Sequence, residues 1–596
     1  MSENELLFVL LAVAGGLFCP VFSLALVVIQ NPSLFDFSLF GIFEHDSFAL
    51  LPEIFPVNAT IIPPIHGVLF STFKQYDYLL LVCNVGWLGL PSVLITIVPV
   101  AAGAPITFAN LLYNNGMKDN LTYFREILPL LSTASTIVTC LDYFKRERLN
   151  AFESIVLTLP STRSMLFMVL ACDSIAMYLA IEPQSSCFHV IAALKRDSEF
   201  STEAGLKYSI LGAFSSGILS FGRSMIYGST GITNFEESAK TFTGYEITLL
   251  GAQSSGIFMG ISFIAVGFLS KITAVSSHVW APDVYEGLPT LVTAFFPIAP
   301  KISIPANMLC VFLYSFHDLT WQQLFLLCSI AFMIPGALAA MAQKEVKRLS
   351  AYSSIGHVGY LPIGFSRGTI EGIQSLPIGI SIYISMTINA FATVSALRQT
   401  CVKYITDSGA LAKTNPISAI TPSVTMSLYA GIPSLAGFRS KFHLFFAAPS
   451  CGAYLLALIG IVTSVISLFY YIRLVKIMYF DTPKRWILYK LMDPEKSLLP
   501  AISSSSISFL FLYLSPLFLV THEMARCICI RVVSLNLFTS GWGSAPRPQL
   551  YVIRFIPTCY GIKNDLIEEN FPHQVTYLTS SPSHSQELSQ QMNCPK

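Results

Sequence analysis

The chain alternates long apolar runs with short polar breaks. The runs fall at about 6–29, 49–70, 78–101, 122–141, 151–171, 174–194, 205–228, 251–275, 289–314, 323–341, 349–365, 371–396, 416–446, 452–478 and 498–520. Roughly 20 apolar residues in an α-helix cross the hydrocarbon core of a bilayer. About fifteen such runs therefore predict an all-α polytopic membrane protein. Strands of a membrane barrel would instead alternate in polarity over about ten residues. The stretches 289–314 and 416–446 exceed a simple span and contain proline. Segments of that kind are tilted, kinked or broken in mid-membrane.

Composition sharpens the class. The 596 residues are 53% hydrophobic and 12% charged, against about 25% charged in an average soluble domain. With 35 Lys+Arg against 34 Asp+Glu the net charge is +1, so no basic excess points to nucleic acid. Most of the 13 cysteines, such as Cys83, Cys140, Cys172, Cys310 and Cys328, sit singly inside apolar runs. A thiol there behaves as a small hydrophobe. No C-x-x-C occurs, only the C-x-C of Cys527 and Cys529, which gives no iron–sulfur or zinc site. No G-x-G-x-x-G or P-loop provides for a nucleotide. The acidic start, Met-Ser-Glu-Asn-Glu, is unlike an Arg-rich transit peptide. From about residue 526 the chain turns rich in Ser, Pro, Asn and Gln and reads as a disordered extension.

The informative residues are ionisable groups inside the apolar runs. Glu182 lies in 175–190, Lys207 opens 206–227, and Lys271 follows 261–270. Lys301 sits within 292–313, and Lys441 follows 431–438. Each costs about 2.5–3.5 kcal/mol at the bilayer centre if lipid-exposed, so all five are expected to face a protein interior. Two readings stand for Lys207, an interior charge or a helix-end lysine reaching the interface and pairing with Glu203. Lys271 has the same choice, since His278, Asp283 and Glu286 follow closely. His357, at the head of a run, is either a hydrogen-bonded core residue or a proton relay. One carboxylate and several lysines on separate helices form a chain of titratable groups. Burial disfavours a charged lysine and a nearby carboxylate favours it, so a moving charge can push a proton along such a chain.

One stretch is too specific to be composition. Lys271-Ile-Thr-Ala-Val-Ser-Ser-His278-Val-Trp280-Ala-Pro282-Asp283-Val-Tyr285-Glu286-Gly287 closely resembles the K-x-x-x-V-P-F-H-x-W-x-P-D-x-Y-E-G signature of the antiporter-like subunits of respiratory complex I. Within them it resembles the chain 2 family in its plant-type mitochondrial form. The segments Glu203–Ala213, Ala351–Tyr360 and Gly431–Phe438 agree as well, and the resemblance runs over 47–525. It implies about 14–15 transmembrane helices with two inverted five-helix repeats, each containing one broken helix. The breaks would fall around Lys271–Val275 and Ile432–Lys441. The domain reading is an N-terminal extension at 1–46, the proton-translocating region at 47–525 and a polar extension at 526–596.

The family's proton-transfer residues carry over to Glu182, Lys207, Lys271, Lys301, His357 and Lys441. The same five charges stood out by insertion cost. The resemblance also implies that NADH, FMN, iron–sulfur clusters and ubiquinone are handled by the rest of the complex, with no cofactor in this chain. Its partners would be other complex I subunits, especially neighbouring antiporter-like membrane subunits, with the lipid bilayer and protons, and no nucleic acid. It would lie in the mitochondrial inner membrane as a subunit of a proton-translocating NADH:ubiquinone reductase.

Departures from the family pattern matter. Pro183 follows Glu182 where an apolar residue is expected, and Arg439 stands where a small residue is expected. Ser276 and Ser434 replace prolines, and His443 replaces tyrosine. Pro to Leu, Arg to Cys and His to Tyr are each single C-to-U changes, so the sequence reads as a gene-level translation of an edited transcript. Two further functions compete at this stage. One is a stand-alone or Mrp-type cation/proton antiporter subunit, the other an inert membrane scaffold.

Overall fold

The protein is described here by a computed structural model. The residues described are 60–68, 78–101, 120–147, 152–195, 198–244, 251–273, 280–288, 292–316, 320–365, 368–397, 404–409, 411–414, 416–450, 452–481, 500–501, 503–505, 507, 515 and 517–526. The runs at 6–29 and most of 49–70 and 498–520 lie outside them, as does the polar tail beyond 526. Within the described residues the regular structure is helical, apart from two isolated bridges, Asp173 with Asn234 and Glu345 with Tyr404.

The apolar runs become helices because, in lipid, every backbone N–H and C=O must find its partner within the segment. The first part of the chain forms α1 (Tyr78–Ala101), α2 (Asn120–Glu147), α3 (Phe152–Leu170), α4 (Ser174–Ala192) and α5 (Glu199–Thr230). Then come α6 (Phe235–Gly244), α7 (Gly251–Lys271), α8 (Trp280–Gly287) and α9 (Val292–Met308). The second part forms α10 (Thr320–Ala342), α11 (Val346–Phe365) and α12 (Ile370–Leu397). It ends with the single turn α13 (Leu411–Thr414), then α14 (Pro416–Ala430), α15 (Ala436–Ser450) and α16 (Tyr454–Tyr479). α1 coincides with the run expected at 78–101.

The two overlong stretches divide differently. α9 carries Pro297, Pro300 and Pro305 and runs on into a π-helical turn at Leu309–Ser315. The stretch 416–446 breaks outright between α14 and α15, where Gly431 takes φ +78°. That left-handed conformation suits a residue without a Cβ. A further break follows α7, where Thr273 takes φ +73°, a strained value for a β-branched residue. Residues 274–279, including Ser276 and His278, lie outside the described residues, and the chain resumes as α8.

By length and composition, four of the described helices can cross a membrane, within Phe295–Leu313, Trp321–Ala342, Ile370–Val394 and Tyr454–Tyr479. The first is almost wholly buried and the last mostly outward-facing. α9 packs against α2, α3, α4, α7 and α12, which puts it at the centre. α16 turns Leu455, Leu458, Val462, Val465 and Phe469 outward, an apolar face that suits lipid rather than water. The molecule is a multi-spanning membrane bundle with several long apolar helices.

Candidate functional site

Lys271 ends α7, where the negative end of the helix dipole favours a cation. Its side chain is 8% exposed and stands 3.9 Å from Glu182 Oε1 on α4. Its Nζ donates to Ser216 Oγ on α5 at 2.7 Å. The serine reaches it because α5 and α7 touch through glycine. A Cβ on Gly222 would come within 2.8 Å of the Gly260 carbonyl, and one on Gly260 within 2.9 Å of the Gly222 carbonyl. Gln184, Ser185, Tyr208, Ser215 and Trp280 line a small cavity with Lys271.

A second small cavity holds three of the expected residues, with Lys301 from α9, His357 from α11 and Lys441 from α15. Lys301 is 2% exposed. Its Nζ donates to the Tyr383 hydroxyl at 3.1 Å and to the Ser354 carbonyl at 3.4 Å. Lys441 is 6% exposed and donates to the carbonyls of Tyr429 at 2.9 Å and Ala430 at 3.3 Å. Those carbonyls belong to the last turn of α14, which the break leaves without helical donors. The His357 ring lies between Tyr383 and Tyr429, with centroids 5.4 Å from each. α9 separates the two cavities, since Pro300 and Ile304 line the first and Lys301 the second.

Lys207 is placed differently. Its side chain is 37% exposed, and its Nζ lies 2.7 Å from both Glu203 on its own helix and Asp283 on α8. Arg348 of α11 also meets Asp283 at 3.3 Å and Glu286 at 2.5 Å. The structure thus joins Glu182 to Lys271 and gathers Lys301, His357 and Lys441. Lys207 turns to the carboxylates of α5 and α8.

Several residues in this network carry no signal of their own in the sequence. Tyr383 and Ser354 look like ordinary members of apolar runs, and Ser216 is one serine among many. Arg125 and Glu126 were readable, as a charge pair heading the run 122–141. Both are buried, and Arg125 donates to the Ala306 carbonyl of α9 at 2.9 Å. Of the departures, Pro183 sits inside an unbroken α4, and the Glu182 carbonyl accepts the hydroxyls of Ser185 and Ser186, each at 2.9 Å. Arg439 is exposed on α15, on the face that also shows Phe442 and Phe446. The cysteines described, Cys83, Cys140, Cys172, Cys187, Cys310 and Cys328, are free thiols.

Charged side chains inside an apolar bundle, beside small cavities on either side of a central helix, are the arrangement expected of an ion-translocating class of membrane protein. Residues 171–467 match the family described as NADH:quinone oxidoreductase/Mrp antiporter, TM. NADH-ubiquinone oxidoreductase chain 2 of Marchantia polymorpha is 76% identical over 488 residues, which cover 82% of this chain and 100% of that one. Its counterpart in Oenothera berteroana is 70% identical over 479 residues, 80% of this chain and 98% of that one. A chain of respiratory complex I from Thermus thermophilus with bound aureothin shares the fold, with a TM-score of 0.63 at 24% identity, covering 78% of this chain and 98% of that one. The chain belongs to the NADH-ubiquinone oxidoreductase chain 2 family.

Proposed function

We propose that the chain is the proton-translocating chain 2 subunit of respiratory complex I, a multi-pass protein of the mitochondrial inner membrane. Electron transfer from NADH to ubiquinone takes place in other subunits, which hold the FMN and iron–sulfur clusters. This chain converts the energy released there into proton movement through Glu182, Lys207, Lys271, Lys301, His357 and Lys441. Its helices form two inverted five-helix repeats, one containing the break after Lys271 and the other the break at 431–435. Neighbouring antiporter-like subunits are its partners.

The observation that carries this reading is the pairing of Glu182 with Lys271 at 3.9 Å beside one cavity, with Lys301, His357 and Lys441 around the next. Opposite charges about 4 Å apart attract by roughly 4 kcal/mol at the effective dielectric typical near protein surfaces. Moving Glu182 away from Lys271 removes that attraction, and the lysine then gives up its proton toward the next group. Restoring the pair draws a proton back.

The test is Lys271→Ala and Glu182→Ala in the assembled complex, read as protons pumped per NADH oxidised. The expected result is reduced pumping with the complex still assembled. Unchanged pumping in both variants would leave only a scaffold. A native gel stained for NADH dehydrogenase activity separates this reading from a stand-alone or Mrp-type antiporter, which would migrate apart from that activity.

A further inference from the structure

We propose that the Tyr383 hydroxyl is a proton relay between Lys301 and His357, an inference that rests on the function proposed above. Lys301 has two hydrogen-bond partners among the described residues, the Ser354 carbonyl and the Tyr383 hydroxyl. A carbonyl oxygen accepts a hydrogen bond but has no proton of its own to pass on. A hydroxyl has both an accepting lone pair and a proton to donate. Of these two hydrogen-bond partners, Tyr383 is therefore the one that can both take and release a proton.

Two further observations fit the role. The Lys301 ammonium stands 5.0 Å from the centroid of the Tyr383 ring, a cation–π distance that keeps the lysine seated beside the hydroxyl. The Tyr383 and His357 ring centroids are 5.4 Å apart, and both side chains line the cavity that also reaches Ser440 and Lys441. The cavity has room for about one water, and Lys301, His357, Tyr383, Ser440 and Lys441 among its lining side chains can serve as its polar partners. Lys441 is hydrogen-bonded only to carbonyls among the described residues, so its exchange also passes through this cavity.

An N–H bond of Lys301 breaks as its proton bonds to the Tyr383 oxygen. The hydroxyl's original O–H bond breaks, and that proton passes through the water to the free ring nitrogen of His357. Tyr383 is neutral before and after, no electron moves, and one proton has been carried from Lys301 to His357.

Tyr383→Phe keeps the ring and removes only the hydroxyl, whereas Tyr383→His restores a group that can both take and release a proton. Both are tested in the assembled complex beside Lys301→Ala, with protons pumped per NADH oxidised as the readout. The expected result is a loss of pumping in Tyr383→Phe and partial recovery in Tyr383→His. Wild-type pumping in Tyr383→Phe overturns the relay. So does equal loss in both tyrosine variants, since a packing defect would not distinguish histidine from phenylalanine. Wild-type pumping in Lys301→Ala is a separate outcome, because it overturns the proposed function itself.

Discussion

Lys301 is the interior charge least compensated by its surroundings. A buried ammonium loses several kcal/mol of hydration, and two neutral oxygen partners at 3.1 and 3.4 Å recover only part of it. Replacing such a charge with an apolar side chain of similar shape is often neutral or stabilising. Lys301→Met is therefore expected to assemble at wild-type level, with a thermal midpoint unchanged or raised, and to lose pumping. A complex that falls apart on a native gel would show that the lysine holds the fold. This asymmetry also explains what was legible at this scale. Lys301, Lys441 and Glu182 stand out in sequence because a charge in an apolar run has an insertion cost. Tyr383 does not, because its ring belongs in such a run and its hydroxyl becomes informative only beside Lys301.

Among the helices, the informative places are where they stop. The family resemblance implied a break around Ile432–Lys441, beside Pro433, and the structure interrupts the helix at 431–435. What could not be read is that the freed carbonyls of α14 hold Lys441. Gly431 is essential to that arrangement. A Cβ there would meet Lys441 Cδ at 3.3 Å and Nζ at 3.4 Å, and φ is +78°. Gly431→Ala is expected to cost about 1–2 kcal/mol from the left-handed backbone alone. It should also displace the ammonium, lowering pumping while the complex still assembles. Gly222→Leu acts on packing instead, forcing α5 from α7 where even a Cβ would lie 2.8 Å from the Gly260 carbonyl. Its expected outcome is loss of the assembled complex on a native gel, with no pumping left to measure. α6 was missed because ten residues of mixed polarity are too short for a span and carry no family motif. It is held instead by a buried Phe235 and a Lys240–Glu236 pair at 3.0 Å.

Taken as a whole, the molecule carries prolines inside many of its helices. Pro129 lies inside α2, Pro160 inside α3, Pro183 inside α4, Pro335 inside α10, Pro377 inside α12 and Pro422 inside α14. Each removes a helical hydrogen bond and crowds the preceding turn, at about 3 kcal/mol in a helix interior. Arg439 adds to the load, since it shares an exposed apolar face with Phe442 and Phe446, where a charge costs about 2.5–3.5 kcal/mol on insertion scales. Transporters use one or two helix breaks to build a site, and the interruptions after Lys271 and at Gly431 match that number. A single C-to-U change turns a proline codon into leucine, a good helix former, and the arginine and histidine changes remove charge or polarity in the same way. The mature transcript is thus expected to read U for C at codons 183, 439 and 443, positions that depart from the family pattern. Sequencing cDNA beside genomic DNA from one tissue checks it. Identical sequences would overturn the expectation, and Pro183 would then be a permanent neighbour of Glu182. In that case Pro183→Leu should stiffen α4 and change the 3.9 Å approach of Glu182 to Lys271, which a comparison of pumping between the two forms would register.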